Sequence, residues 1–336
     1  MVDRIRRFVA KAPATEPASV SRSFSSWNDV DPTTVQVCHP NWHGVRTATR
    51  AFRTPIIEST DFTTHATALA EELKTHGAST LVVQAWPPGA AALIEAAAER
   101  GIAVRIISHS SMAQHGTDAG EVESITDAFS LVDRGLVQRV GFVKEGLAEA
   151  FRALGYPAAY VPNRVPELPD YETADLGPGL HVGVFLDPYW RKNVATQLAA
   201  VAMIGATAHV TRLPDVGYLD GLSIVEHGSV PWDSFIGLQA SMDVNFNVTL
   251  SECHPMSPME SYLSGVPCLV SATSSLFVDD PDLYALTTVT EADNPRAIAE
   301  QSASLLEHRS EAVRRAGAWM SAHDTIAEER FAAFVA

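Results

Sequence analysis

Short β-branched apolar runs alternate with amphipathic helical runs along this chain, in two series separated by a proline-rich stretch. That alternation constrains the fold more than any other feature, because runs of period two and period 3.6 cannot exchange roles. In the first series the pattern predicts strands at 35–38, 55–58, 80–84, 104–108, 137–143 and 159–161. Helices are predicted at 45–52, 65–76, 90–100, 122–132 and 145–154. Gly77, Gly101 and Gly155 stand where helices should stop. The stretch 163–179 is proline-rich and poor in apolar residues, and reads as a linker. The second series predicts strands at 181–186, 208–213, 222–226, 244–248, 268–271 and 286–289. Its helices fall at 193–204, 232–242, 257–264, 296–322 (one or two helices) and 327–335. Apolar strands between helices imply parallel sheets covered on both faces. The expected fold is α/β, with two Rossmann-like doubly wound domains and an interdomain cleft at the carboxyl ends of their strands. The expected divisions are an arm at 1–34, a first domain at 35–165, a linker at 166–180, a second domain at 181–322 and a C-terminal helix at 323–336.

Composition narrows the function classes. The chain has 336 residues, 46 % of them hydrophobic, which gives room for two domains with ordinary cores. Its formal net charge of -16 repels a phosphate backbone at long range, so extended nucleic-acid binding is disfavoured. No run approaches the ~20 apolar residues of a membrane helix, and no apolar leader is visible, so stable membrane insertion is not expected. Cys38, Cys253 and Cys268 are scattered and odd in number. They do not form a disulfide framework or a clustered zinc site, and a cytoplasmic location is the expectation. The basic segment at 3–9 reads as a solvated terminal helix or frayed arm, a membrane-surface helix being the other reading. Residues 12–34 read as a loop or extended arm. Asp29-Val30-Asp31 spells a metal-type Asp-x-Asp but lies in that arm.

The most specific segment runs from Val248 to Ser271. Glu252 and Glu260 are separated by seven residues, between a strand and a helix expected to begin near Ser257 or Pro258. Gly265 and Pro267 follow, then another strand. One carboxylate therefore sits in the loop at a strand's end and the other on the next helix, with free backbone N–H groups between them, a natural anion site.

This segment resembles the Glu-x7-Glu signature of the retaining GT-B glycosyltransferases of family four. The flanks are similar too: His227-Gly228 with Val230-Pro231-Trp232, then Met242-Asp243-Val244, and Gly183 through Arg191-Lys192-Asn193. The resemblance covers roughly residues 100–275. It implies the GT-B fold, a nucleotide-diphosphate sugar as co-substrate, no other cofactor, no metal, and transfer with retention. It further implies that Glu260 binds the ribose and Glu252 the donor sugar. The backbone N–H groups of Met256 and Ser257 would face the diphosphate, and Arg191 and Lys192 would neutralise it, so that fixed cations and amide dipoles meet the charge of the leaving group. Gly183 marks the donor domain's first strand. His109, after the strand 104–108, corresponds to a histidine that often points toward the donor sugar. Gly44 corresponds to a glycine-containing loop near the acceptor.

Two departures stand out. The stretch 184–187 lacks the family's arginine, so either Arg191 replaces it or the leaving group is less well stabilised. Cys253-His254-Pro255 replaces a glycine-rich stretch, which makes His254 a candidate donor contact. Trp42, Trp86 and Phe62 lie in predicted loops of the first domain, where an aromatic ring can stack on an acceptor. The acceptor can be a glycan, lipid, protein, small molecule or modified nucleobase, and the oligomeric state is not readable. Two other readings stand beside transfer: a catalytically inactive GT-B scaffold that binds a nucleotide sugar, and another GT-B enzyme such as a nucleotide-sugar epimerase. A dinucleotide-binding reading lacks its Gly-x-Gly-x-x-Gly turn.

Overall fold

The computed structural model describes residues 21–22, 33–116, 119–214, 217–219 and 221–336. The basic segment at 3–9 and the Asp29-Val30-Asp31 triplet lie outside the described residues. The chain divides into two compact units. One runs up to Pro166 and includes His323–Ala336, and the other spans Glu167–Ala322.

In the first unit the strands are β1 (Ser21–Arg22), β2 (Thr34–Cys38), β3 (Ile56–Glu58), β4 (Thr80–Gln84), β5 (Ala103–Ser108), β6 (Arg139–Phe142) and β7 (Ala158–Tyr160). The helices are α1 (His43–Ala51), α2 (Ala66–Thr75), α3 (Ala90–Glu99), α4 (Met112–His115), α5 (Ala119–Asp133) and α6 (Leu147–Ala153). The sheet order is β1-β3-β2-β4-β5-β6-β7, and β2 to β7 are all parallel. β1 pairs antiparallel with the edge strand β3, so part of the predicted arm is a sheet edge. β4 is buried along its whole length, as expected of a strand with helices on both faces. Leu81, Val83, Leu93, Ile94 and Phe142 anchor the core. The direction of winding reverses between β2 and β4.

The second unit carries β8 (His181–Gly183), β9 (Thr207–Val210), β10 (Ser223–Glu226), β11 (Val244–Asn247), β12 (Cys268–Ser271) and β13 (Thr288–Val289). Between and after them lie α7 (Val194–Met203), α8 (Trp232–Ala240), α9 (Met256–Leu263), α10 (Pro281–Thr287), α11 (Pro295–Glu307) and α12 (Arg309–Val335). All six strands are parallel in the order β10-β9-β8-β11-β12-β13, so here winding reverses between β8 and β11.

Three expectations need correction. α12 is continuous where the sequence suggested a break near 322–327, because no glycine or proline interrupts residues 318–335. α10 takes part of the strand expected at 286–289. Asp280 caps it by accepting from the Leu283 N–H at 3.1 Å, with Pro281 in its first turn. Gly44 is not in a loop but in the first turn of α1. No close backbone approach needs it there, since a Cβ added at Gly44 would meet nothing within 4 Å.

The end of α12 is fastened within the first unit. Phe331 stacks on Phe52 at 4.1 Å, and Phe334 is fully buried. Arg164 forms ion pairs with Asp324 at 2.6 Å and Glu328 at 3.0 Å, and Arg139 donates to the Ala333 carbonyl at 2.8 Å. Among the described residues, no helix is long and apolar enough to cross a membrane.

Candidate functional site

A doubly wound sheet exposes a crevice where its winding reverses, at the carboxyl ends of the two central strands. In the second unit those strands are β8 and β11, and hydrogen bonds tie the segments that follow them together. Trp190–Lys192 forms a single 3-10 turn, and Asn193 then takes a left-handed conformation (φ 57°) that redirects the chain into α7. The Asn193 amide donates to the carbonyls of Val248 (3.1 Å) and Ala292. Gln197 donates to the Lys192 carbonyl at 2.8 Å and accepts from the Val248 N–H at 3.0 Å. The Leu250 N–H donates to the Arg191 carbonyl at 2.8 Å.

This frame brings Lys192 and Glu252, 60 residues apart in sequence, into an ion pair with Nζ 2.5 Å from Oε2. Burial alone would raise the Glu252 carboxyl. The Lys192 ammonium, Arg191 and the Cys253 N–H outweigh it, so the pKa lies below the ordinary carboxylate value and the group is ionised at neutral pH. α9 begins at Met256 with Pro255 as its cap residue and no side-chain cap, so the N–H groups of its first turn carry the positive end of the helix dipole. The helix starts one or two positions earlier than the sequence suggested.

Glu260 lies on α9 at 4 % exposure, and Glu252 is 9 % exposed. Neither is therefore an ordinary solvated surface carboxylate. Burial raises the Glu260 carboxyl to about 7, with the Trp232 indole N–H opposing at 3.4 Å. His254 is almost fully buried, so its ring does not face solvent. Gly183 ends β8, and the space a Cβ would fill there is taken by the Asn245 side-chain oxygen and the Phe185 ring. Among the described residues, no group of three or more His, Cys, Asp or Glu is placed to hold a metal ion.

In the first unit, winding reverses between β2 and β4, and a directional chain of side chains crosses their carboxyl halves. Gln36 donates to the Thr49 carbonyl (3.1 Å) and the Thr54 hydroxyl (2.7 Å). Its carbonyl oxygen accepts from the Gln84 amide. The Gln84 oxygen accepts from His109 Nε2 at 2.8 Å. This order fixes the proton on Nε2 and leaves Nδ1 as an acceptor. Burial lowers the His109 pKa to about 4, so the ring is neutral near pH 7. Trp42 caps α1 and stacks on His39 at 4.7 Å, partly exposed. Trp86, after β4, is half-buried against the core. Phe62 is not a loop platform: it is 1 % exposed and belongs to the core, which removes it as a stacking surface.

No protein-family model and no curated protein matches the sequence. Solved structures do match. A sucrose-phosphate synthase from Thermosynechococcus elongatus is similar at a TM-score of 0.56 and 12 % identity, covering 89 % of this chain and 99 % of that one. A putative UDP-N-acetylglucosamine 2-epimerase from Listeria monocytogenes gives a TM-score of 0.59 at 12 % identity, covering 89 % and 94 %. A UDP-forming α,α-trehalose-phosphate synthase from Burkholderia xenovorans gives 0.56 at 10 %, covering 90 % and 98 %. The chain has the GT-B fold. Within this GT-B chain the structure pairs Lys192 directly with Glu252. It places Glu260 and the first turn of α9 on the adjoining helix, and His109 in the other unit. Residue reasoning missed Trp232 as a partner of Glu260, and Asn193 and Gln197 as the frame. It also missed Gln36 and Gln84, although a glutamine inside an otherwise apolar strand is a visible signal of a buried polar link.

Proposed function

We propose that this chain is a glycosyltransferase that moves a sugar from a nucleoside-diphosphate sugar to an acceptor hydroxyl, with retention and without a metal. The observation that carries the reading is the Lys192–Glu252 pair at the winding reversal of the second sheet, beside the uncapped start of α9. Departure of a nucleoside diphosphate develops negative charge, and a fixed ammonium with helix N–H dipoles stabilises such charge without reorganising. In this reading Lys192 and Arg191 face the diphosphate with the N–H groups of Met256 and Ser257. Glu252 receives hydroxyls of the donor sugar, and Glu260 receives the ribose. Gly183 and His254 shape the donor site from behind. His109 presents its Nδ1 to the sugar. The acceptor side draws on Trp42, Trp86 and the first turn of α1 around Gly44. The leaving phosphate serves as base for the acceptor hydroxyl on the same face of the sugar.

UDP is the first nucleotide to try, because two of the similar proteins are a UDP-forming synthase and a putative UDP-N-acetylglucosamine epimerase. An epimerase reading is separated by product: isomerised donor sugar rather than a new glycoside. Binding and slow hydrolysis should be measured across UDP-, GDP-, ADP- and TDP-sugars with EDTA present, beside Lys192→Ala and Glu260→Ala. The expected outcome is selective binding that survives EDTA and weakens by at least about tenfold in both variants. Absence of binding by any nucleotide sugar to the folded protein would sink the reading.

A further inference from the structure

A cavity of about 530 Å³ opens in the first unit, lined among others by Arg139, Glu149, Arg152, Tyr156, Tyr160 and Arg330. Arg139 begins β6, and Pro157 and Ala158, which also line the cavity, stand at the start of β7. The cavity continues along β7 to Tyr160, and β7 is the last strand of the sheet, with β6 and β5 between it and β4, which carries Gln84. The cavity is therefore separate from the site proposed above and does not depend on it.

Its lining is unusual for a chain of formal charge -16: three guanidinium groups and one carboxylate. Glu149 is matched by Arg152 at 3.0 Å. Arg139 donates to a helix-end carbonyl, which carries no net charge, and no carboxylate is recorded within ion-pairing distance of it among the described residues. Arg330 lies 4.8 Å above the Tyr160 ring. A guanidinium held over a ring by cation–π attraction keeps N–H donors for hydrogen bonding, the fork that matches a phosphate or carboxylate. Among the described residues Arg330 likewise has no recorded carboxylate partner. Two cations lacking counter-charges, beside the tyrosine rings and the apolar wall of Pro157 and Ala158, describe a complementary ligand.

We infer that this cavity binds a small organic oxyanion, a phosphate or carboxylate carried on a flat apolar body. Arg139 and Arg330 hold the oxyanion, and Tyr156 and Tyr160 hold the body. The test is calorimetric titration of the full chain with phenyl phosphate, benzoate and inorganic phosphate, for the wild type, Arg330→Gln, Tyr160→Leu and Lys192→Ala. Phenyl phosphate, benzoate or both should bind, at least about tenfold more tightly than inorganic phosphate. The tighter of the two identifies the preferred head group. Arg330→Gln should weaken binding about tenfold with an unchanged melting temperature, Tyr160→Leu should reduce the advantage over inorganic phosphate, and Lys192→Ala should bind as the wild type does. The inference is overturned if neither aromatic oxyanion binds, if binding survives Arg330→Gln undiminished, or if it is lost in Lys192→Ala. The last result would place the anion in the second unit instead.

Discussion

Glu260 titrates where enzymes work. Burial lifts its carboxyl from 4.5 to about 7, so at neutral pH the ionised and protonated forms are both populated. The ionised form offers both oxygens as charge-assisted acceptors to two ribose hydroxyls, whereas the protonated form turns one of them into a donor. Affinity for a nucleoside-diphosphate sugar should therefore rise about tenfold between pH 6 and pH 8, as the ionised fraction climbs from roughly 0.1 to roughly 0.9. A nucleotide sugar is the right probe, because its esterified diphosphate does not titrate in that window. Calorimetry at both pH values checks this, and Glu260→Gln should be weak and flat across the range. A flat wild-type profile would detach Glu260 from the ribose. At this scale sequence reasoning reached the carboxylates but not their partners. The seven-residue spacing of Glu252 and Glu260 is local, and the start of α9 between them follows from Pro255 and Pro258. Trp232 meets Glu260 from 28 residues away and Lys192 meets Glu252 from 60, and no spacing rule carries such contacts.

The segment from Trp190 to α7 shows how one backbone conformation holds an element in place. Asn193 sits at φ 57°, in a region that asparagine tolerates better than most side chains, and its amide bridges two other loops. Asn193→Gly keeps the conformation and loses the bridge, whereas Asn193→Ala loses the bridge and adds strain. Alanine should therefore be the more destabilising by about 1 kcal/mol, read as a difference in urea midpoints at constant m-value. Equal midpoints would mean that the turn relaxes at no cost. Most elements were legible because their signals are local: period-two runs for β4 and β5, and glycine stops after α2, α3 and α6. α10 was passed over although Asp280-Pro281 is a start signal, because its seven residues carry too little periodicity to stand out from the strand that follows. The break expected in α12 has no stop signal behind it, since neither glycine nor proline falls in residues 318–335.

For the molecule as a whole, buried histidines contribute acid sensitivity, and the raised Glu260 carboxyl opposes it between pH 7 and 4.5. His181, His209 and His227 are linked ring to ring across three adjacent strand segments, at 3.0 and 2.9 Å. Burial first, then His227 and His181, bring His209 down to about 4 from 6.5. The unfolded chain thus takes up a proton that the folded chain refuses. Stability contributed at this site is intact above pH 6.5 and is lost as pH falls from there toward 4. Because Glu260 acts oppositely in this window, the test is a difference: in urea unfolding at pH 7, 6 and 5, His209→Gln should gain stability relative to the wild type as pH falls. An identical slope would assign the acid sensitivity elsewhere, His109 being the next group to test.

The parallel sheet of the first unit takes its final packing from Phe331, Phe334 and the Asp324 and Glu328 partners of Arg164. Those residues follow the whole of the second unit in the chain. On the ribosome, the early strands emerge before the second unit is made, and Phe52 lacks its stacking partner Phe331 until then. Biosynthesis therefore runs opposite to the usual order in which an N-terminal domain completes first. The second unit has its residues in hand sooner, and the first matures only when residues 323–336 arrive.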